Sequence, residues 1–346
     1  MAYADAFLKL HLPVGVRLLI AVACCYCALP VLAQQQRPAD AFSSGLSLFR
    51  EGRFEEAAKQ FSGVVNTQAD ANLFLGKALI NLGRFKEAEV PLKRFITAER
   101  ASDEGYYLLG FALFRQGQAK ESLAIYQQAA NLKAPTSDDF KIIGLNFGLL
   151  NDLTRSAEYL ERAVALDPHN LEARYYLGRV RFTQNFFEQA RIAFEEVLRR
   201  NPLHSKSQNN LGQVYEAQND QARAIQAYRR AIELDHTSAK PSELPFLNLA
   251  TLLFENGKLE EALPLLARAA LINQTSPKVR FQLGKTLQRL GRLAEAEKEF
   301  VAATQLDPSD PGPRYVLGQL YRKLGKTELA RQELEISERL RSGKKL

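Results

Sequence analysis

The chain has no tryptophan, and its three cysteines stand together at Cys24, Cys25 and Cys27. Beyond them no disulfide, thiolate metal site or cysteine nucleophile can be built. Histidine is almost as scarce. His169, His204 and His236 all fall in expected turns, and no His-x-x-x-His pair occurs, so metal-ligand spacing is missing. There is no GxSxG elbow, no GxxxxGK phosphate loop and no GxGxxG fingerprint. Carboxylates such as Glu55, Glu56, Glu260 and Glu261 fall on outer helix faces, where solvated charge or helical ion pairing is their expected role. The reading is therefore of a chain without catalytic centre, metal or cofactor. What is present fits a folded soluble protein: 46% hydrophobic and 25% charged, with a net charge of +7 that points to acidic partners.

Lys9 and Arg17 flank or precede an apolar run over residues 18–28, broken at Pro30 and followed by Val31, Leu32 and Ala33. The run is short for a membrane span and predicts a secretory signal at residues 1–33, with a linker at 34–37. Left uncleaved, residues 14–33 would instead anchor the chain to a membrane, with Arg17 snorkelling. Both readings place the chain outside the cytoplasm, in the bacterial periplasm or secreted, and export argues against nucleic acid as a ligand.

The rest is repetitive. Gly76, Gly110, Gly144, Gly178 and Gly212 lie 34 residues apart, and Ala250, Gly284 and Gly318 continue the step after one four-residue insertion. The units are 38–68, 69–102, 103–136, 137–170, 171–204, 205–238, 243–276, 277–310 and 311–341. Three- and four-residue apolar spacing, as in Tyr175, Leu177, Val180 and Phe182, predicts two helices per unit. Between them stands Gly52, Gly83, Gly117, Asn151, Asn185, Asn219, Gly257, Gly291 or Gly325. Glycine and asparagine are the residues that tolerate a left-handed helix end. Five residues on comes a small side chain (Ala57, Ala88, Ser122, Ser156, Ala190, Ala224, Ala262, Ala296, Ala330), expected to face the first-helix glycine. Four further on comes a large one such as Phe61, Tyr126, Phe194, Tyr228 or Phe300. Asp167-Pro168, Asn201-Pro202 and Asp307-Pro308 close units where proline can open the next helix.

This pattern resembles the tetratricopeptide repeat family, whose period it shares. The usual early tryptophan is replaced by Tyr106, Phe140 or Phe246 in some units and by Arg174, Gln208, Arg280 or Arg314 in others. The resemblance implies an all-α, right-handed solenoid of about nine helix-turn-helix repeats. Its concave face would be made by first helices, with the ligand groove at positions two, five, six, nine, twelve and thirteen of each unit. That count gives an apolar N-terminal half, with Phe42, Leu46, Phe49, Leu73, Ile80, Tyr107, Phe111, Phe114, Tyr175 and Phe182. It gives a basic, amide-rich C-terminal half, with Arg179, Lys206, Asn209, Gln213, Asn248, Lys278, Gln282, Lys285, Arg289, Arg322 and Lys323, offset in part by Glu172, Glu216 and Glu255. The candidate binding residues are Tyr107, Phe111, Phe114, Tyr175, Arg179, Asn209, Gln213, Asn248, Lys278, Gln282, Lys285 and Arg289.

The function implied is a non-catalytic scaffold or adaptor of the cell envelope, holding a protein or peptide with acidic and apolar segments. The alternative is a carbohydrate or small-ligand receptor using the aromatic half; half-buried packing between first helices would equally account for those aromatics. The carboxylate clamp of some family members is matched only by Asn248 and Lys278, so clamping of a chain terminus is not expected. Residues 239–242 form either a hinge or a longer turn. Pro91 and Pro264 should bend their helices. The last helix should cap the solenoid itself, ahead of a basic tail at 342–346. Asn273-Gln274-Thr275 is a glycosylation sequon that matters only in a glycosylating pathway.

Overall fold

A computed structural model describes residues 40–235 and 240–343. The expected signal segment and linker, the three cysteines, His236, Ala239 and the last residues of the basic tail lie outside the described residues. Among the described residues there are eighteen helices and no strand. The chain divides between Asp167 and Pro168 into two compact units. The first holds α1 (40–50), α2 (Phe54–Ser62), α3 (Ala69–Asn81), α4 (Phe85–Ala98), α5 (Asp103–Arg115), α6 (Ala119–Leu132), α7 (Ser137–Leu149) and α8 (Leu153–Leu166). The second holds α9 (Leu171–Thr183), α10 (Phe187–Arg200), α11 (Ser205–Ala217), α12 (Gln221–Asp235), α13 (Leu244–Glu255), α14 (Leu259–Ile272), α15 (Pro277–Arg289), α16 (Leu293–Leu306), α17 (Pro311–Lys323) and α18 (Thr327–Arg341).

Each odd-numbered helix joins the next through three residues, and the middle one takes a positive φ. Asn151, Asn185 and Asn219 sit at 59°, 63° and 61°, and the six expected glycines at 72° to 80°. The amides close the ends as a Schellman motif. In the α3–α4 turn the Gly83 N–H donates to Ile80 O at 3.0 Å and the Arg84 N–H to Leu79 O at 2.8 Å; in α11–α12 Asn219 and Asp220 repeat this onto Glu216 and Tyr215. A β-branched side chain in the left-handed region costs about 1–2 kcal/mol. Asn185→Val is therefore expected to lower unfolding free energy by about that much and Asn185→Gly to change it little, as read by urea titration.

The pairs are locked at the first-helix glycines. A Cβ on Gly178 would stand 2.7 Å from the Phe194 ring, on Gly212 2.5 Å from Tyr228, and on Gly284 2.6 Å from Phe300. The space left by the missing side chain is thus filled by the large residue of the second helix, with the small one four positions before it close by, as where Gly144 faces both Leu160 and Ser156. The small residues, all buried, let the backbones close up; the Ser122 hydroxyl donates to Gly110 O at 2.7 Å. α4 and α14 continue through Pro91 and Pro264, whose positions leave the Glu87 and Glu260 carbonyls without an intrahelical donor.

Hairpins stack on their neighbours within each unit. In the second, α9 touches α11, α11 touches α13 and α13 touches α15, and in the first α3, α5 and α7 meet likewise. The even-numbered helices make no comparable contacts with one another. Each unit therefore curves with its odd-numbered helices on the inner side. At the far end, α18 turns outward a ladder of charges, Glu328, Arg331, Glu335 and Arg339, paired at one-turn spacing. Such a face suits a terminal repeat in contact with water.

Candidate functional site

The inner face of the second unit gathers nine of the twelve candidate residues, seven of them around two hollows. A hollow of about 510 Å³ is lined by Tyr175 and Arg179 from α9, Asn209 and Gln213 from α11, and Asn248 from α13. A second hollow, also about 510 Å³, shares Phe182, Gln213 and Asn248 with the first and adds Lys278 and Gln282 from α15. The two form one continuous groove across four odd-numbered helices.

Two of the amides are less open than the sequence count implies. Asn209 and Gln282 are 5% and 6% exposed. Asn248 Nδ2 donates to Asn209 Oδ1 at 3.0 Å, bridging α13 to α11. Gln282 Oε1 accepts from Lys285 Nζ at 3.2 Å, while its Nε2 is buried without a partner. A buried donor left unmade costs stability. Lys285 and Arg289 extend the line beyond the second hollow: their charged ends stand 4.9 and 4.8 Å from the Phe254 ring centre.

On the even-numbered helices and the turns leading into them many cations are paired, as in Arg84–Glu55 at 3.0 Å, Arg292–Glu295 at 2.7 Å and Lys326–Glu297 at 2.7 Å, while Lys59, Lys86, Arg94, Lys120, Arg268 and Lys298 take part in no ion pair among the described residues. Exposed pairs of this kind add little stability. On the inner face Arg179, Lys206, Lys278, Lys285, Arg289, Arg322 and Lys323 take part in no ion pair among the described residues. Of the carboxylates nearby, Glu216 accepts from the Tyr228 hydroxyl at 2.6 Å, and Asp235 is held by Ser205 and Ser242. The inner face thus carries a net positive charge, offset in part by Glu172, Glu216, Asp235 and Glu255.

Tyr175 is positioned from below by His204, which caps α11. The Ser207 N–H donates to His204 Nδ1 at 3.1 Å, and the imidazole packs edge-on to Tyr175 at 5.2 Å. Burial, helped by Lys206, lowers the His204 pKa. The folded chain thus binds its proton less readily than the unfolded chain, whose value is about 6.5. The stability this confers is complete above that value and is lost as pH falls below it. Thermal melts from pH 7.5 to 5.5 should show the second unit weakening, and His204→Asn, a cap that does not titrate, should remove that component.

The remaining three candidates lie in the first unit and are described there alone. Tyr107 and Phe111 line a hollow of about 600 Å³ whose rim includes Asp103, Glu104, Asp138 and Asp139. The Tyr107 hydroxyl donates to Lys133 O at 2.7 Å, its ring packs edge-on to Tyr126 at 5.7 Å, and burial pushes its pKa up to about 12. Phe111 meets Phe85 and Phe114 at 6.1 and 6.5 Å. These rings are half-buried and engaged with one another. Leu73, counted to the same face, is in the core.

Several groove residues escaped the sequence reading. Tyr176, Asn210 and Phe281 occupy fifth or sixth positions, so the same count could have found them. Leu244, at position two of its unit, could have been found the same way; Ser242 comes from the lengthened turn and had no counterpart in the repeat to reveal it.

Models of the tetratricopeptide repeat match residues 42–96, 75–139, 144–185, 177–239 and 281–343, and a second such model matches 253–304. Among curated proteins, the chain is similar to Protein O-mannosyl-transferase TMTC1 of Mus musculus, 28% identical over 152 residues, which are 43% of this chain and 16% of that protein. It is also similar to Anaphase-promoting complex subunit 3 of Schizosaccharomyces pombe, 24% identical over 270 residues, covering 77% of this chain and 40% of that protein. The chain therefore spans less than half the length of either relative. A solved tetratricopeptide repeat protein from Parabacteroides merdae superimposes with a TM-score of 0.59 at 16% identity, covering 78% of this chain and 98% of its own. With repeat models covering most of its length and a helical-repeat architecture to match, the chain belongs to the tetratricopeptide repeat family.

Proposed function

We propose that this protein is a non-catalytic binding scaffold of the cell envelope that holds an extended, acidic segment of a partner protein along the inner face of its second unit. One observation carries the reading: Arg179, Lys206, Lys278, Lys285 and Arg289 gather on one inner face and take part in no ion pair among the described residues. Unpaired charge of one sign, spread over aromatic and amide surface, attracts a ligand of the opposite sign and orients it. Anaphase-promoting complex subunit 3, one of the relatives, is by its name part of an assembly, in keeping with a scaffold role. The envelope setting rests on the apolar run at residues 18–28 and on the absence of cysteine beyond Cys27.

The test is affinity capture from envelope extract of the native organism, with the full chain as bait. The expected result is a partner retained at about 0.1 M salt, where screening is moderate, released at high salt, and displaced by poly-glutamate but not by poly-lysine. Capture indifferent to poly-glutamate would remove the basis for the groove. Fractionation that finds the chain in the cytoplasm would remove the envelope setting.

A further inference from the structure

The inserted turn before α13 closes one end of the groove. α12 ends at Asp235, which is 5% exposed. Its carboxylate accepts from the Ser205 hydroxyl at 3.0 Å and from the Ser242 N–H at 2.6 Å. These bonds fasten the returning chain to the start of α11 and stand Ser242, Leu244 and Pro245 as a wall of the first hollow. The described part of the insertion is thus tied down, which favours a built wall over a hinge. Opposite the wall, Tyr175 stands edge-on to Tyr176 at 5.3 Å and tilted to Phe194 at 6.0 Å, with Phe182 beside them. Leu244 is held 49% exposed at the rim. The volume of about 510 Å³ falls within the ~300–1,000 Å³ of pockets that enclose a ligand.

We infer that this pocket takes one aromatic side chain of the partner segment, whose acidic residues then trail toward α15; the inference rests on the groove reading above. Aromatic walls favour an aromatic occupant in edge or offset contact. The rim amides of Asn210, Gln213 and Asn248 can meet the peptide groups on either side of it. Polarity follows from the balance of charge: at the walled end Asp235 offsets one of Arg179 and Lys206, whereas Lys278, Lys285 and Arg289 outnumber Glu216 at the other. Three steps between adjacent inner helices, each roughly 10 Å, make about 30 Å. That is the reach of about nine extended residues at ~3.3 Å each.

The experiment is fluorescence anisotropy on the full chain with labelled synthetic nine-residue peptides. One carries a tryptophan followed by a glutamate-rich tail, one has alanine for the tryptophan, one reverses the order, and one replaces the glutamates with lysine. The tryptophan–glutamate peptide should bind at least tenfold more tightly than the alanine and reversed peptides. Deleting residues 239–242, which restores the regular repeat spacing, should abolish that preference while leaving glutamate binding in place. Leu244→Asp, at an exposed rim position, serves the same purpose should the deletion fail to fold. Equal affinity for the tryptophan and alanine peptides overturns the anchor and leaves the groove reading standing. Failure of every glutamate peptide overturns both. Equal binding of the tryptophan–lysine peptide keeps the anchor and overturns the acidic groove.

Discussion

Phe194→Ala should destabilise the second unit by about 3–5 kcal/mol, the range for emptying a fully buried aromatic site. Phe194 is 0% exposed and its ring occupies the space above Gly178. The reverse error is also costly: Gly178→Ala drives a methyl to 2.7 Å from that ring, and overpacking of this kind costs about 1–3 kcal/mol. The two changes should not be independent. The seventh repeat carries Ala250 and Leu266 in the register that Gly178 and Phe194 occupy in the fifth, and both are 0% exposed. Gly178→Ala with Phe194→Leu copies that natural pair. Its loss should fall short of the sum of the single changes by about 1 kcal/mol or more, as expected for residues in contact. Urea unfolding followed by circular dichroism measures all four corners of the cycle. Strict additivity would mean that the glycine and the ring do not share one space.

The second large effect concerns binding. Reversing Lys278, Lys285 and Arg289 together to glutamate should weaken capture of the partner about a hundredfold near 0.1 M salt, chiefly through slower association. Screening should shrink the difference as salt is raised. The control is the triple reversal of Arg84, Arg292 and Arg331, which changes net charge equally but falls on paired, outward residues. It should leave affinity within about threefold, because isolated exposed charges contribute little. Surface plasmon resonance with the captured partner distinguishes the two sets. Equal losses would reduce the effect to overall charge and remove the groove from the account.

The repeat was legible in the sequence because its determinants are local. Asn185 or Gly83 at a left-handed turn, Ala190 at a close backbone approach and Phe194 above Gly178 each satisfy a constraint that recurs in the same register along the chain. The inner face was legible as a register too, so Tyr175, Arg179, Gln213 and Lys278 could be placed together without coordinates. What depended on a neighbouring helix could not be read. Asn209 is buried where Asn248 of α13 bonds across to it, and no pattern within α11 records that closure; Gln282 on α15 is buried to the same degree. The walled pocket hangs on a single carboxylate, Asp235, reaching a turn that breaks the period. Tyr107, Phe111 and Phe114 illustrate the opposite case. Their positions match the groove pattern, yet their rings are occupied with Tyr126 and Phe85 and with each other, so the pattern alone does not separate a binding surface from packing.

Hydrogen exchange on the full chain, with and without its captured partner, tests the central claim most directly. The account predicts added protection along α9, α11, α13 and α15, with the even-numbered helices and the first unit unchanged. Protection concentrated on α10, α12, α14 and α16, or around Tyr107 and Phe111, would contradict it.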